Sequence, residues 1–270
     1  MMSKKTGKDP IGDRLKELER STEMRFDVHK PVYVRIDGRG FSKFTRDMKR
    51  PFDSKMSMCM IAAAMVLVEK THARIGYTQS DEISLVYKAT EDGDILFNGR
   101  LQKLTSVLAG ITTAAFINAL LKTPGFEHYV DDMPHFDARV FQCSDDLEAV
   151  EALIWRERDA AKNSIAMAAQ SIHSHRFLQG LSAREQLDAL TNAGINYDDY
   201  PAYFKRGTWL RRVSYERAFT PEELEAIPEA HRPLPDTLVT RSEVRDLKIT
   251  NFSRLSNPQG VVFNGEDPRE

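Results

Sequence analysis

The chain has 270 residues, with 38 Lys and Arg against 40 Asp and Glu, 41% hydrophobic and 29% charged residues. That balance suits one large or two small globular domains and excludes both a disulfide-stapled miniprotein and a chain too polar to fold. With a net charge of −2, any nucleic-acid contact must come from a local basic patch.

The longest unbroken apolar run, Met58 to Val68, is eleven residues, short of the about 20 that span a bilayer. The lysine-bearing start leads into the charged stretch Ile11–Arg20 instead of an apolar signal core, so the expectation is a cytoplasmic protein with no membrane association. Cys59 and Cys143 stand alone with no CxxC and are read as packing residues.

In chain order, Ile11, Leu15 and Leu18 repeat at helical spacing. In Val32–Asp37 the apolar Val32, Val34 and Ile36 alternate with Tyr33, Arg35 and Asp37, which predicts a half-buried strand that Gly38-Arg39-Gly40 stops. Met56, Met60, Ile61, Ala64, Met65 and Val68 predict a helix over Ser54–Thr71, capped by Asp53 or Ser54. Ala73–Thr78 and Ile83–Tyr87 read as a hairpin with the acidic tip Gln79-Ser80-Asp81-Glu82. A second long helix is predicted from about Ile95 to Leu121, ending before Pro124-Gly125, and a strand over Phe136–Cys143. The order β-α-β-β-α-β is the ferredoxin-like plan shared by polymerase palms, an antiparallel sheet with both helices on one face and the other face free for a site.

Beyond Ser144-Asp145, a helix is predicted over about Leu147–Ile172 and a shorter one over Leu181–Ala193. The remainder carries Pro201, Pro221, Pro228, Pro233, Pro235 and Pro258 and is expected to be loop-rich. The fold class is therefore α+β: a palm-like domain over 1–143, then a helical and loop-rich region over 144–270.

Asp37 ends its strand on the polar face, beside a glycine-flanked turn whose bare backbone can approach phosphate oxygens. Such an Asp-Gly pair is also an ordinary turn. Asp81 and Glu82 tip a hairpin next to that strand; strand parity points them to opposite faces, so they are not equivalent ligands. Carboxylates from two strand ends are what a two-metal phosphoryl-transfer site requires, although an acidic hairpin tip is equally a solvated one. His173 and His175 sit at i,i+2, which does not converge on a helix, and suit a surface or interface role. Tyr203–Arg217 interleaves Lys205, Arg206, Arg211, Arg212 and Arg217 with Tyr203, Phe204, Trp209 and Tyr215, a composition suited to RNA or to a solvated face over core aromatics.

RIDGRGF (Arg35–Phe41), RPFD (Arg50–Asp53) and YTQSDEISLV (Tyr77–Val86) resemble, in order and spacing, the motifs of the tRNA(His) guanylyltransferase family. FNGRLQKL (Phe97–Leu104), FDARV (Phe136–Val140), WRERDAAKNS (Trp155–Ser164), FLQG (Phe177–Gly180) and YFKRGT (Tyr203–Thr208) carry the resemblance over roughly the first 210 residues. It implies nucleotide addition to the 5′ end of tRNA, in the 3′-to-5′ direction, with ATP, GTP or other nucleoside triphosphates and two Mg²⁺ ions, by a homotetramer built as a dimer of dimers. By that resemblance Asp37, the Gly38 carbonyl and Asp81 bind metal, with Glu82 a supporting carboxylate among the catalytic residues. Gly38, Arg39, Gly40, Phe41 and Ser42, with Ser80, hold the nucleotide, and Arg50, Arg100 and Lys103 neutralise its phosphates. Arg100 and Lys103 suit a solvated helix face as well.

Two departures from the family pattern matter. Arg50 stands where the family has a lysine, exchanging a point donor for a planar fork. Ala161-Lys162-Asn163-Ser164 stands where the eukaryotic enzymes have HINN, so the histidine that supports reading of the tRNA(His) anticodon is missing. The pattern resembles the bacterial and archaeal branch, which implies template-directed repair of 5′-truncated tRNA. The alternatives are a tRNA(His)-specific guanylyltransferase, a palm-type nucleotide cyclase using the same carboxylates, and a non-catalytic RNA-binding protein.

Overall fold

The computed structural model describes residues 9–89, 93–234 and 236–270. Its elements are α1 (Pro10–Ser21), β1 (Val32–Gly38), α2 (Phe41–Phe44), α3 (Ser54–Thr71), β2 (Ile75–Gln79), β3 (Glu82–Tyr87), α4 (Leu101–Leu121), β4 (Phe136–Gln142), α5 (Asp146–Gln170), α6 (His175–Leu178), α7 (Ala183–Asn192), α8 (Ala202–Arg206), β5 (Thr208–Ala218), α9 (Pro221–Ala226), β6 (Leu238–Asp246) and α10 (Pro258–Phe263).

The first four strands lie in the order β4-β1-β3-β2, each antiparallel to its neighbour, the ferredoxin-like order the element sequence predicts. The alternation in β1 sorts its residues as expected. Val32, Val34 and Ile36 enter a core with Met60, Leu67 and Val68 of α3 and Leu108, Phe116 and Leu120 of α4. The Asp53 carboxylate caps α3 by accepting the Lys55 and Met56 N–H groups at 2.8 and 3.3 Å, satisfying donors that a helix start otherwise leaves unpaired. By length and composition α4 could cross a membrane; here its Leu104, Leu108, Thr112, Phe116 and Leu120 face is buried.

Three expectations are corrected. The segment after Pro201 is not mainly loops: β5 pairs with β2 through Gly76–Thr78 and with β6 over Leu210–Ala218, making a six-stranded sheet β4-β1-β3-β2-β5-β6. Prolines 221, 228 and 233 fall between these strands and leave the strands themselves free to pair, and Pro235 lies outside the described residues. Segments 1–143 and 144–270 thus share one sheet. Nor is the second sheet face free. Tyr33, Ile75, Tyr77 and Val86 bury themselves there against Ala149, Val150, Leu153 and Ala160 of α5 and Val261 and Val262 of α10. A site on that side is confined to the end of the sheet that α5 leaves open.

The long helix expected from Ile95 starts later. Leu96–Gly99 is a 3₁₀ turn with Phe97 and Asn98 at φ +53°, and Arg100 is the N-cap of α4 and not part of its first turn. Cys59 and Cys143 are free and buried, as expected.

Candidate active site

β1 and β3 end together. Asp37 is in register with Glu82, and the Gly38 N–H donates to the Asp81 carbonyl at 3.1 Å, so the glycine turn and the hairpin tip form one edge. Gly38 is dictated by packing: a Cβ there would lie 2.3 Å from the Phe41 ring, and Phe41 is locked among Phe44, Phe116 and Phe136 with ring centroids 4.9 to 5.5 Å away. Gly40, at φ +70°, caps α2 in the left-handed region that glycine enters freely. Ser80, at φ +53°, makes the tight turn of the hairpin and sets Asp81 at its tip.

Two clefts meet at this tip. The first, a cavity of about 280 Å³, is walled by Phe41, Ser42, Met48, Met56, Phe52, Tyr203 and Phe204, with Lys49 and Arg50 on one side and Gln79, Ser80 and Asp81 at its end. Phe52 stacks on Phe204 at 4.6 Å, giving an apolar slot with cations at its rim. The second, about 540 Å³, is polar: Arg35, Asp37, Asp81 and Glu82 from the sheet face Arg156, Asp159, Asn163, Met167 and Gln170 of α5. Those α5 residues recur at three- and four-residue intervals, one face of a helix, so the stretch Trp155–Ser164 contains Arg156, Asp159 and Asn163 without showing what element they face. Gln79, Ser80, Asp81 and Met167 border both clefts.

The electrostatics differ between the two tip carboxylates. Burial, and then the neighbouring negative charge of Asp37, push Asp81 up to about 6. Glu82 is also raised by burial, opposed by Arg156: the guanidinium donates Nε to Oε1 at 2.7 Å and Nη2 to Oε2 at 2.8 Å, a bidentate pair. Glu82 is therefore committed to α5 and supports the site without facing a ligand. Arg156 also donates to Asp159 at 3.0 Å.

Among the described residues no three His, Cys, Asp or Glu side chains form a ready-made metal cluster. Asp37, Asp81 and the Gly38 carbonyl are a sparse set of hard oxygen donors, suited to an ion that keeps waters and takes substrate phosphates. The mutual repulsion that raises Asp81 is what a cation between the two carboxylates relieves. The residues fit a magnesium-type ion.

Of the residues expected from sequence, Asp37, Ser80, Asp81 and Glu82 gather at the tip, and Phe41, Ser42 and Arg50 line the first cleft. Arg39 is exposed on the turn, its N–H held by His135, and lines neither cleft. Arg100 and Lys103, which the resemblance assigns to the phosphates, line neither cleft. Phe116 packs beside the turn, whereas Arg100 precedes it by 16 residues of α4, about 24 Å at the helical rise. Arg100 instead pairs with Glu23 and lines a separate groove with Lys16, Arg20 and Arg25. Lys103 is exposed on the first turn of α4.

The basic aromatic segment is also corrected as an RNA surface, because each of its cations is engaged within the fold. Lys205 donates to the Asp198 carbonyl, Arg206 lies 3.8 Å from Glu157, Arg211 holds the Val261 carbonyl, Arg212 the Glu69 carbonyl and Arg217 the Glu223 carboxylate. Phe204 and Trp209 are core residues, at 4% and 1% exposure. His173 stacks on Phe177 at 4.6 Å. The sequence reading missed Arg156, Asp159, Lys49 and the Met48, Met56 and Met167 lining. The local signals were Lys49-Arg50 as adjacent cations and the stretch Trp155–Ser164, which contains Arg156 and Asp159.

A family model described as tRNAHis guanylyltransferase matches residues 12–144. The tRNA(His) guanylyltransferase of Schizosaccharomyces pombe is 30% identical over 213 residues, covering 73% of this chain and 78% of that enzyme. A bacterial tRNA(His) guanylyltransferase-like protein solved in complex with ATP superposes with a TM-score of 0.69 at 33% identity, over 75% of this chain and 87% of that one. Another, in complex with GTP, gives 0.67 at 27% identity, over 88% and 91%.

Proposed function

The chain belongs to the tRNA(His) guanylyltransferase family and is a nucleotidyltransferase, and from that premise we propose that it adds nucleotides to the 5′ end of tRNA, directed by the opposite strand, to repair 5′-truncated tRNA. The observation that carries this reading is Asp81 at the junction of two clefts of different chemistry, with Asp37 beside it in the polar one.

The apolar slot takes the nucleoside triphosphate. Phe52 and the methionines cover a base, and Lys49 and Arg50 at the rim hold phosphate oxygens. Relatives bound to ATP and to GTP support such a ligand. The polar cleft receives the RNA 5′ phosphate, with Arg35 as the cation on its wall and Arg156 held by Glu82 and Asp159. Two Mg²⁺ ions held by Asp37, Asp81 and the Gly38 carbonyl would supply the charge that offsets the transferring and leaving phosphoryl oxygens. An RNA 5′-monophosphate is first joined to the AMP moiety of ATP, releasing pyrophosphate. The 3′-hydroxyl of the incoming nucleotide then attacks that phosphate, the phosphodiester forms and AMP leaves. A 5′-triphosphate needs no activation and releases pyrophosphate.

Template direction follows from Ala161. A methyl group on α5, whose own carbonyl accepts the Ser164 hydroxyl at 3.0 Å, offers no hydrogen bond to an anticodon, so selectivity must come from base pairing at the gap. A mispair leaves buried polar groups unsatisfied at about 1–3 kcal/mol per group. The further elements of the reading are cytoplasmic action and a homotetramer; for the second, the support is that α1 has no buried residue and exposes Ile11, Leu15 and Leu18 for contact between chains.

The test incubates 5′-truncated tRNAs, varied at the base opposite the gap, with each labelled NTP and Mg²⁺. The incorporated nucleotide is expected to follow the opposite base whatever the anticodon. Fixed G addition confined to histidine-anticodon tRNAs would overturn the repair reading.

A further inference from the structure

The chain has two tryptophans, and the fold treats them differently. Trp209 is 1% exposed, stacked on Phe252 at 4.1 Å and against Tyr77 at 4.3 Å. Trp155 is 51% exposed on α5. It lies off the buried face of that helix, which is Ala149, Val150, Leu153, Glu157, Ala160 and Ser164, so packing does not require an indole there. Leaving the largest apolar side chain half in water forfeits burial free energy that the core position of Trp209 recovers.

The ring is nevertheless held. The Arg156 guanidinium lies 4.6 Å from its centroid and that of Arg35 5.8 Å, and Arg156 is itself clamped by Glu82 and Asp159. Beside it a groove is lined by Glu151, Ile154, Arg158, Asp159 and Lys162. Its two carboxylates balance its two cations, so it is no track for a run of duplex phosphates. It offers one fixed aromatic face with Arg158 and Lys162 three and seven residues further along α5. Asp159, one turn beyond Trp155 and about 6 Å along the axis, lines both this groove and the polar cleft that ends at Asp37 and Asp81.

We infer that Trp155 is a stacking platform for the terminal base at the RNA 5′ end, holding it at the mouth of the polar cleft while Arg158 and Lys162 take adjacent phosphates. The assignment rests on the proposed use of that cleft by the RNA. It needs no sequence preference, since every base has a π-face, and so suits an enzyme whose choice of nucleotide is made by pairing. The incoming nucleotide occupies the other cleft, across Asp81, and does not reach this ring.

Because Trp209 is buried, the emission lost in Trp155→Phe is that of Trp155. The probe is a 5′-monophosphorylated acceptor-stem hairpin RNA lacking its first nucleotide, titrated into the full chain. The RNA is expected to quench Trp155 emission, ATP or GTP alone is not, and the quench is absent in Trp155→Phe. Trp155→Ala is expected to raise KM for that RNA by about 5- to 100-fold, more than it lowers kcat, with NTP saturation unmoved, and Trp155→Phe to recover most of the loss. RNA binding without a change in Trp155 emission, an unaltered KM in Trp155→Ala, or quenching by NTP alone would each overturn the platform while leaving nucleotide addition standing. Quenching by RNA in a wild-type chain that adds no nucleotide keeps the platform and sinks the transferase reading; no RNA binding at all removes both.

Discussion

Arg156→Ala tests what holds the wall of the polar cleft in place. Arg156 and Glu82 have side chains 12% and 15% exposed and share two charge-assisted hydrogen bonds of 2.7 and 2.8 Å, so solvent screens them little. Removing the arginine strands a carboxylate whose burial already disfavours its charge, a loss of about 3–5 kcal/mol for a broken buried pair. Arg35 moderates it. Its Nε lies 3.9 Å from Glu82 Oε2 and, among the described residues, is buried without a hydrogen bond, so it can turn toward the vacated carboxylate. The expected cost is therefore at the low end, about 3 kcal/mol, read as a fall in urea midpoint at constant m. Glu82→Ala/Arg156→Ala should cost less than the two single changes summed, because the double variant removes both members of the pair and strands neither. If Arg156→Ala lies within about 1 kcal/mol of wild type, or if the single costs add to the double within about 0.5 kcal/mol, the ion pair does not hold the wall.

Asp37→Asn and Asp81→Asn should each abolish nucleotide addition with the fold retained, as circular dichroism and an addition assay will show. In chelator-treated protein, Asp81 binds its proton more tightly folded than unfolded, so its contribution to stability falls as pH rises from the ordinary carboxylate range near 4 to about 6; Asp81→Asn should remove that part of the pH dependence in denaturant titrations. Gly38→Ala places a methyl against Phe41 and should cost about 1–3 kcal/mol, the price of overpacking, with a parallel loss of addition; a thermal midpoint equal to wild type would show that the turn is not packing-limited. Arg100→Ala and Lys103→Ala should leave NTP saturation unchanged, since neither lines the clefts at Asp81, and a raised KM for NTP in either would place them at the triphosphate after all.

Local chemistry determined much of this protein by itself. The alternation from Val32 to Asp37 set which side chains of β1 face α3 and α4, the helical spacing from Met56 to Val68 and the Asp53 cap set α3, and the element order set the β4-β1-β3-β2 sheet. The tip residues Asp37 and Asp81 were legible because both are adjacent in sequence to the turns that expose them. Contacts across long sequence separations were decided only by tertiary structure. Glu82 is paired with an arginine 74 residues away, the polar cleft has a wall drawn from one face of α5, and β5 joins the sheet beside β2 through only three paired residues. Arg100 shows the reverse case: the family resemblance implied a nucleotide contact, yet it caps α4 at the end remote from the turn and is taken up by Glu23. Periodicity reports which face of an element is apolar; it carries no information about which distant element covers that face, because that choice is settled by the packing of whole helices and strands into one core.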